Sequence, residues 1–293
     1  MISLELAQEA MVRRGKIAES LIAPERPELI GLFITYQNEA IAARKFLDSS
    51  LIELDAGAEI LEVGGGILAL AIQLASEGFK VTTVEPVGEG FSGISFIMDI
   101  FSEISKKENV SFNLKRVPIE ECAFDHKFEF IFSINVMEHL KNPYSVLIQL
   151  VELLKQGAKY RFFCPNYDFP YEPHFGKWLF SRKDRAFYLQ KSRARSNLIY
   201  TDEIFGLHTS LNFLTLRRLK NSVKNIDIRL EPNRNALYEV LNRSNYDLEL
   251  GERHPIITKI TRVLCWLKLH HLAKLVPSNF QPIMDVKASF SRT

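Results

Sequence analysis

The sequence predicts an α/β protein in which a mostly parallel β-sheet is covered by helices on both faces. Between about residues 58 and 166, short apolar runs alternate with segments of helical periodicity, which is the pattern of such sheets. The first apolar run leads directly into three consecutive glycines, Gly64, Gly65 and Gly66. Right-handed crossovers place the carboxyl ends of parallel strands at one edge, where ligands bind. We therefore expect a ligand site at the glycine turn.

The elements follow one another along the chain at regular intervals. Strands are expected at 60–63, 80–84, 110–116, 128–135 and 160–164. Helices are expected between them at about 67–77, 91–107 and 142–155. Downstream, we expect a helix at 211–223, a strand at 226–230, mainly helical structure at 233–280 and a last strand at 282–290.

Three parts of the chain are expected. Residues 1–54 form an N-terminal helical extension, because Leu4, Ala7 and Met11 recur at helical spacing. This extension is either a lid over the ligand site or a packing layer. Residues 55–232 form the core with a substrate loop at 165–210, and residues 233–293 form a helical insertion and the final strand.

Composition excludes several classes of protein. The chain has 293 residues, of which 46% are hydrophobic and 25% charged, as in ordinary globular proteins. A formal net charge of +2 is too small for a typical nucleic-acid-binding protein. Three widely separated cysteines and the absence of a signal-peptide pattern favour a reduced, cytoplasmic setting. No apolar stretch is long enough to cross a membrane.

The glycine turn and the second strand together predict an adenosine-containing cofactor. Glycines allow a sharp turn and a close approach of a ligand to the main chain. Glu85 ends the second strand about twenty residues later, where an acidic side chain accepts hydrogen bonds from ribose hydroxyls. The spacing of Gly64, Gly66 and Ala69 also fits the nicotinamide fingerprint. Glu62 disfavours that alternative, because a carboxylate suits an amino group and a sulfonium better than a pyrophosphate.

At these residues the sequence resembles the class I S-adenosylmethionine-dependent methyltransferases, of the type 11/12-like kind. Their first motif is matched by Glu62 to Gly66, their second by Glu85, and their fourth by the apolar strand that ends near Glu138 and His139. The resemblance covers residues 58–166 well and 205–231 loosely. It implies a Rossmann-like seven-stranded sheet and transfer of a methyl group from S-adenosylmethionine to oxygen or nitrogen of a small molecule.

The resemblance also implies roles for individual residues around the cofactor. Gly64 and Gly66 approach its methionyl part, and Glu85 holds the ribose. Ile119 lies near the adenine with Glu120 as the nearest carboxylate, and Asn135 and Val136 lie beside the sulfonium and the transferred methyl. The sequence departs from the family at Leu68, which replaces the third glycine of the usual loop. The full set expected to bind the cofactor is Glu62, Gly64, Gly65, Gly66, Glu85, Pro86, Ile119, Glu120, Asn135 and Val136.

The segment after the fifth strand is expected to form a wall of the acceptor pocket. Residues 164–176 are rich in aromatic and polar side chains and contain three prolines. An oxygen nucleophile usually needs a base, and His174 is the first candidate because its ordinary pKa lies near neutrality. The alternative is that His174 only orders the loop. His139 is a competing catalytic residue, and Tyr171 and Asp168 are candidates for orienting the acceptor.

A divalent metal is not expected. Some quinone O-methyltransferases that resemble the fourth motif bind a metal through two glutamates and a histidine. In this chain Asn135 replaces the first glutamate before Glu138 and His139, and the loss of one carboxylate weakens a site for a hard cation. We expect Glu138 and His139 to fix the helix start and the cofactor loop instead.

Each of two basic segments has two interpretations, so the sequence does not identify the acceptor or the partners. The run from Arg182 to Arg195 is either a solvated helix face or a binding surface for an anionic acceptor. Residues 254–276 form either a helix packed on the sheet or an element on a membrane surface, and His270 and His271 should point to different faces. Two further alternatives are a catalytically silent binding module and a methyltransferase for a lipid-linked sugar. The oligomeric state is not predicted.

Overall fold

The computed structural model describes residues 2–86, 92–172, 177–178, 210–243 and 255–291. Its strands are β1 (Glu59–Val63), β2 (Lys80–Val84), β3 (Asn113–Lys115), β4 (Phe128–Ile134), β5 (Leu154–Pro165), β6 (Tyr171–Glu172), β7 (Lys177–Trp178), β8 (Ile228–Pro232) and β9 (Ile283–Phe290). Its α-helices are α1 (Leu4–Glu25), α2 (Ile30–Leu51), α3 (Ala69–Ser76), α4 (Ser92–Lys107), α5 (Pro143–Glu152), α6 (Leu216–Ser222), α7 (Ala236–Arg243) and α8 (Pro255–Trp266). The short 3-10 helices are Pro27–Leu29, Ile119–Glu121, Met137–His139, Leu269–Leu275 and Ser278–Phe280.

Seven strands form one mixed sheet in the order β3-β2-β1-β4-β5-β9-β8. Neighbours from β3 to β5 are parallel, whereas β9 runs antiparallel to both β5 and β8. Strands β6 and β7 form a separate small hairpin. The predicted Rossmann-like, mostly parallel seven-stranded sheet is therefore confirmed.

Both faces of the sheet are covered by helices because its central strands are apolar on both sides. Ile60 of β1 packs in a cluster with α2 and α3, and its neighbour Leu61 packs on the opposite face with α5 and α6. Alternation of side chains along a strand produces this division. A third cluster joins α1, α2, α3 and α4, and it places Phe33 against Phe101.

The N-terminal helices are continuous with this core. The fully buried Arg44 of α2 binds Glu77 with its Nε 2.7 Å from Oε1, and it also binds Asp48. Leu47 and Leu51 are buried on the same helix. These contacts give the extension a packing role.

Several element boundaries differ from those expected. The third strand begins at Asn113 and not at residue 110, because Asn109 adopts a left-handed conformation and the Val110 amide donates to the Ser105 carbonyl at the end of α4. The fifth strand is longer than expected, whereas α6 is shorter than the helix expected at 211–223.

The C-terminal part combines the final strand with the inserted helices. Here the expectation for His270 and His271 is wrong. Their ring centroids lie 4.3 Å apart, and both rings pack on Tyr238 of α7. Because both imidazoles contact the same Tyr238 ring, they lie side by side. No helix in the described ranges has both the length and the apolar character needed to span a membrane.

Candidate cofactor and acceptor site

The glycine turn between β1 and α3 is constrained by close contacts on both sides. Gly64 has a φ of +83°, and a Cβ there would lie 2.1 Å from Val136 Cγ2. A Cβ at Gly65 would lie 2.2 Å from Thr83 Oγ1. Separations of this size are far below van der Waals contact. The turn can therefore hold this shape only with glycine at both positions.

Gly66 connects the turn to the end of β2 and to α2. Its φ is +51°, and its amide donates to Glu85 Oε2 over 2.7 Å. A Cβ at Gly66 would lie 3.1 Å from Cδ1 of Tyr36 on α2. The Tyr36 ring therefore lies over the turn, a contact that the sequence analysis missed because no local pattern joins residues 36 and 66.

Burial changes the protonation of the two carboxyl groups near the turn. It raises the pKa of Glu85 to about 7, although the hydrogen bond from Gly66 opposes this shift. Burial likewise raises the pKa of Glu62 to about 8, against the hydrogen bond from Thr83 and with a further upward contribution from Glu85. Desolvation disfavours the charged form of a carboxyl group. Near neutral pH, Glu85 therefore titrates and Glu62 is mainly protonated.

Glu62 lies beneath the turn. Its side chain is buried, and Oε2 accepts a hydrogen bond of 2.9 Å from the Thr83 hydroxyl. The position at which a Gly65 Cβ would stand is 3.5 Å from the same oxygen. This arrangement gives Glu62 a role in holding β1, β2 and the turn together.

Leu68 ends the turn in a strained conformation. Its φ of 69° is left-handed, and it precedes the first residue of α3. Its side chain is fully buried among α1, α3 and α4. Leu68, at the position where the resemblance leads us to expect a third glycine, thus combines a left-handed backbone with buried apolar surface.

The residues expected near the adenine lie in the 3-10 helix Ile119–Glu121. Ile119 is buried, and its carbonyl accepts from Gln149 Nε2 of α5 over 3.3 Å. Glu120 is exposed and accepts from the Lys141 amide over 3.3 Å. Pro86, next to Glu85, is also exposed. The structure thus combines one buried apolar residue and two surface residues at these three positions.

Asn135 and Val136 follow directly after β4. Asn135 has a left-handed φ of 55°, and its amide donates to the Phe163 carbonyl of β5 over 2.8 Å. Val136 packs against Gly64. The end of β4 therefore contacts both the glycine turn and the neighbouring strand.

The following 3-10 helix, Met137–His139, is anchored to the segment before α6. His139 Nδ1 lies 2.7 Å from Ser210 Oγ, and Asn212 Nδ2 donates to the carbonyls of Met137 and Leu140. Glu138 is fully buried, and its Oε1 lies 4.0 Å from His139 Nε2. Within the described ranges, no three His, Cys, Asp or Glu side chains are grouped so as to hold a metal ion.

The expected acceptor-loop residues are only partly described. Tyr171 begins β6, and its ring contacts Trp178 edge-on with centroids 5.3 Å apart. Asp168 accepts from the Arg217 amide at the start of α6 over 3.2 Å. His174 and the basic run from Arg182 to Arg195 lie outside the described residues. The proposed catalytic role of His174 therefore remains a sequence-based prediction.

Asn166 is a structural residue of this loop that the sequence analysis did not single out. Its side chain is fully buried and donates to the carbonyls of Asn279 and Gln281. Its Oδ1 accepts from the amides of Asp168 and Leu216. One amide group thus joins the end of β5, the start of α6 and the segment before β9.

A cavity of about 620 Å³ lies beside Asn135. It is formed by α2, α7 and the face of the sheet at β4, β5, β8 and β9. This volume is in the usual range for small-molecule sites. Its lining residues are Glu39, Ala42, Ala43, Lys45, Phe46, Ser49, Ile134, Asn135, Arg161, Phe163, Glu231, Asn233, Ala236, Glu239, Val240, Asp285 and Lys287.

A buried ion pair lies in the wall of this cavity. Arg161 of β5 donates through Nε and Nη2 to the two oxygens of Asp285 on β9, both over 2.9 Å. Its guanidinium carbon lies 3.7 Å from the centroid of the Phe46 ring. Asn233 Nδ2 also donates to Asp285. The charges of Arg161 and Asp285 therefore compensate each other within the wall.

Besides Arg161, two lysines line the cavity, Lys45 on α2 and Lys287 on β9. Lys287 is half-buried, and no hydrogen bond or ion pair of its ammonium group is found within the described residues. It lies on β9 two residues after Asp285 and therefore on the same face of the sheet. Its charge is thus available to a molecule in the cavity.

Residues 35–197, more than half of the chain, match the model of a methyltransferase domain family. The chain therefore belongs to this family. It is also 40% identical over 263 residues to an uncharacterized protein of Mycobacterium tuberculosis, an alignment that covers 89% of this chain and 88% of the relative.

More distant proteins match over shorter lengths or with lower identity. A ubiquinone biosynthesis O-methyltransferase of Rickettsia akari is 31% identical over 100 residues, which are 34% of this chain and 37% of the relative. The Haemonchus contortus phosphoethanolamine N-methyltransferase 2 in complex with S-adenosyl-L-methionine superposes with a TM-score of 0.49 at 17% identity, over 88% of this chain and 53% of that one. The plantazolicin methyltransferase BpumL in complex with S-adenosylhomocysteine gives 0.48 at 13% identity, over 98% of both chains.

Proposed function

We propose that this protein transfers a methyl group from S-adenosylmethionine to an oxygen or nitrogen atom of a small molecule held in the 620 Å³ cavity. The observation that carries the proposal is the position of Asn135. This residue follows β4 where the sequence predicts the transferred methyl, and it also lines the cavity. A cofactor at the glycine turn and an acceptor in the cavity would therefore meet at this residue.

The residues at the turn fit the proposed cofactor. Gly64 and Gly66 present main chain without side chains at positive φ, and the Glu85 carboxyl at the end of β2 offers oxygen acceptors for ribose hydroxyls. The aromatic ring of Tyr36 bounds the turn on its outer side. S-adenosylmethionine, when bound, supplies an electrophilic methyl on a sulfonium.

In such a transfer the protein mainly positions the acceptor atom relative to the methyl group. Alignment of a nucleophile with the reacting methyl provides a large part of the rate enhancement. Val136 packs on the turn, and Asn135 is fixed by the Phe163 carbonyl, so the edge facing the methyl is held rigidly. His174, Tyr171 and His139 remain our candidates for the base or for orienting the acceptor.

Helix α2 contacts both the glycine turn and the cavity. Tyr36 contacts Gly66, and one to three turns later Glu39, Ala43 and Phe46 line the cavity. A single helix face thus covers the turn and the acceptor space. We propose that α2 excludes water from the reacting groups, which corresponds to the lid alternative.

The cavity favours an acceptor that carries an anionic group. Its apolar lining suits a partly hydrophobic body, and the Lys287 ammonium can bind a carboxylate or phosphate. Four acidic side chains also line the cavity, Glu39, Glu231, Glu239 and Asp285. Asp285 pairs with Arg161, Glu231 pairs with Arg229, and Glu239 accepts from Asn233.

The test is transfer of an isotopically labelled methyl group from S-adenosylmethionine into a fraction of small anionic metabolites, followed by mass spectrometry. We expect a labelled product with the wild-type protein and much less product with Glu85→Ala at a cofactor concentration that does not saturate the variant. Lys287→Gln should retain cofactor binding and raise the KM for the acceptor, whereas Lys224→Gln on the exposed surface is the matched control. Cofactor binding without transfer to any acceptor would instead indicate a silent binding module.

A further inference from the structure

The strongest feature outside the proposed site is an exposed apolar and basic surface near the C-terminus. It consists of α8 and the 3-10 helix Leu269–Leu275 with the segment that follows. Exposure is high for large apolar side chains: Trp266 is 81% exposed, Leu275 77% and Phe280 61%. We call this surface the C-terminal face, and its apolar members are Ile260, Val263, Trp266, Leu267, Leu269, Leu272, Leu275 and Phe280.

Helix α8 has one side toward the protein and another toward solvent. Thr261 is buried, and Cys265 Sγ approaches the Leu241 carbonyl of α7 at 3.6 Å. Ile260 and Val263 are more than half exposed on the other side of the helix. Ile260 and Val263 are therefore not used in packing against α7.

The charges on this surface all have the same sign. Between residues 255 and 284 the chain contains no aspartate or glutamate. The basic residues in this range are Lys259, Arg262, Lys268 and Lys274. Lys259, Arg262 and Lys268 are exposed, and Lys274 lies 4.1 Å from the centroid of the Tyr238 ring. The C-terminal face thus combines apolar side chains with a local positive field.

We infer that the C-terminal face binds the surface of an anionic lipid bilayer. Exposed tryptophan and leucine side chains can enter the headgroup region, and lysines and arginines around them attract anionic lipids. Lysine is depleted in protein–protein interfaces, so this mixture fits a lipid surface better than a protein partner. The inference goes beyond methyl transfer and does not depend on cofactor binding.

Sedimentation of the full-length protein with vesicles tests this inference. We expect binding to vesicles of phosphatidylcholine that contain roughly 30 mol% phosphatidylglycerol, and little binding to vesicles of pure phosphatidylcholine. The binding should be lost at high salt. Trp266→Ser with Leu275→Ser should abolish the binding. Arg262→Glu with Lys268→Glu should weaken it at least about 25-fold, since each basic residue contributes about fivefold.

The control changes the same kinds of residue elsewhere on the surface. Ile52→Ser with Lys224→Glu removes an exposed isoleucine and reverses an exposed lysine on other elements, and it should bind vesicles like the wild type. Equal thermal unfolding of all variants would show that the fold is retained.

Three results would overturn the inference. One is the absence of vesicle binding, and another is equal binding to neutral and anionic vesicles. The third is self-association in sedimentation velocity that Trp266→Ser removes, which would assign the C-terminal face to a second copy of the chain. Since no cofactor is needed, these results are independent of the methyl-transfer assay.

Discussion

At the scale of single residues, the site contains a carboxyl group with a raised pKa and a leucine with a strained backbone. Glu85 is a carboxyl group whose pKa is raised by burial to about 7, and Leu68 is a buried leucine in a left-handed conformation. Both lie at the glycine turn. Strain and altered protonation often mark functional sites, because the surrounding structure must maintain them.

The first prediction concerns the pH dependence of cofactor binding. The ionised Glu85 carboxylate accepts hydrogen bonds from ribose hydroxyls better than the neutral acid does. Because its ligand-free pKa is about 7, a rise from pH 6 to pH 8 ionises the group. We expect the affinity for S-adenosylhomocysteine to rise about tenfold over this range, as calorimetry would show. An unchanged affinity in the wild type, or the same rise in Glu85→Gln, would contradict this role.

The second prediction concerns Leu68. A left-handed conformation costs a non-glycine residue roughly 1–2 kcal/mol, and glycine avoids this cost. Leu68→Gly and Leu68→Ala both lose buried apolar surface, so both should be less stable than the wild type. We expect Leu68→Gly to be more stable than Leu68→Ala by about 1 kcal/mol in urea unfolding, the reverse of the order in a helix. The reverse order would show that the strain is absent.

At the scale of elements, buried polar groups join segments that are distant in the sequence. Asn166 links β5 to α6 and to the residues before β9. The Arg161–Asp285 pair links β5 to β9, and Arg161 also donates to the Phe46 carbonyl of α2. The acceptor cavity therefore owes its shape to polar contacts as well as to the apolar core.

The third prediction concerns the Arg161–Asp285 pair. Asp285→Asn would leave the buried Arg161 without its counter-charge, which usually costs about 3–5 kcal/mol of stability. Asp99→Asn is a matched control, because Asp99 pairs with Arg116 in an exposed position, and its loss should cost less than about 1 kcal/mol. Urea unfolding of both variants provides the comparison. A similar small effect in both would show that the buried pair is already compensated by solvent or by relaxation.

At the scale of the whole molecule, the sequence predicts what depends on local pattern. The glycine turn, Glu85 at the end of β2 and the final strand each follow from a short run of residues. The contact of Tyr36 with Gly66 and the pairing of Arg161 with Asp285, 124 residues apart, have no local signature. The cavity could not be predicted for the same reason, since α2, α7 and four strands enclose it.

The error at His270 and His271 has a related cause. The expectation used only the angular spacing of neighbouring residues, whereas the structure brings both rings against Tyr238, more than thirty residues earlier in the chain. Tertiary contacts of this kind override local geometry. The division of the chain at residues 54 and 232 remains a sequence-based prediction, and α1 and α2 share the core of the sheet.

The central claim, that the glycine turn and Glu85 bind S-adenosylmethionine, is tested most directly by calorimetric titration of the purified protein with S-adenosylhomocysteine. NADH serves as the competing ligand, and Glu85→Ala as the site variant. We predict micromolar binding of S-adenosylhomocysteine that Glu85→Ala weakens by at least about tenfold, with no binding of NADH. Tight binding of NADH, or no binding of S-adenosylhomocysteine by the wild-type protein at pH 8, would contradict the claim.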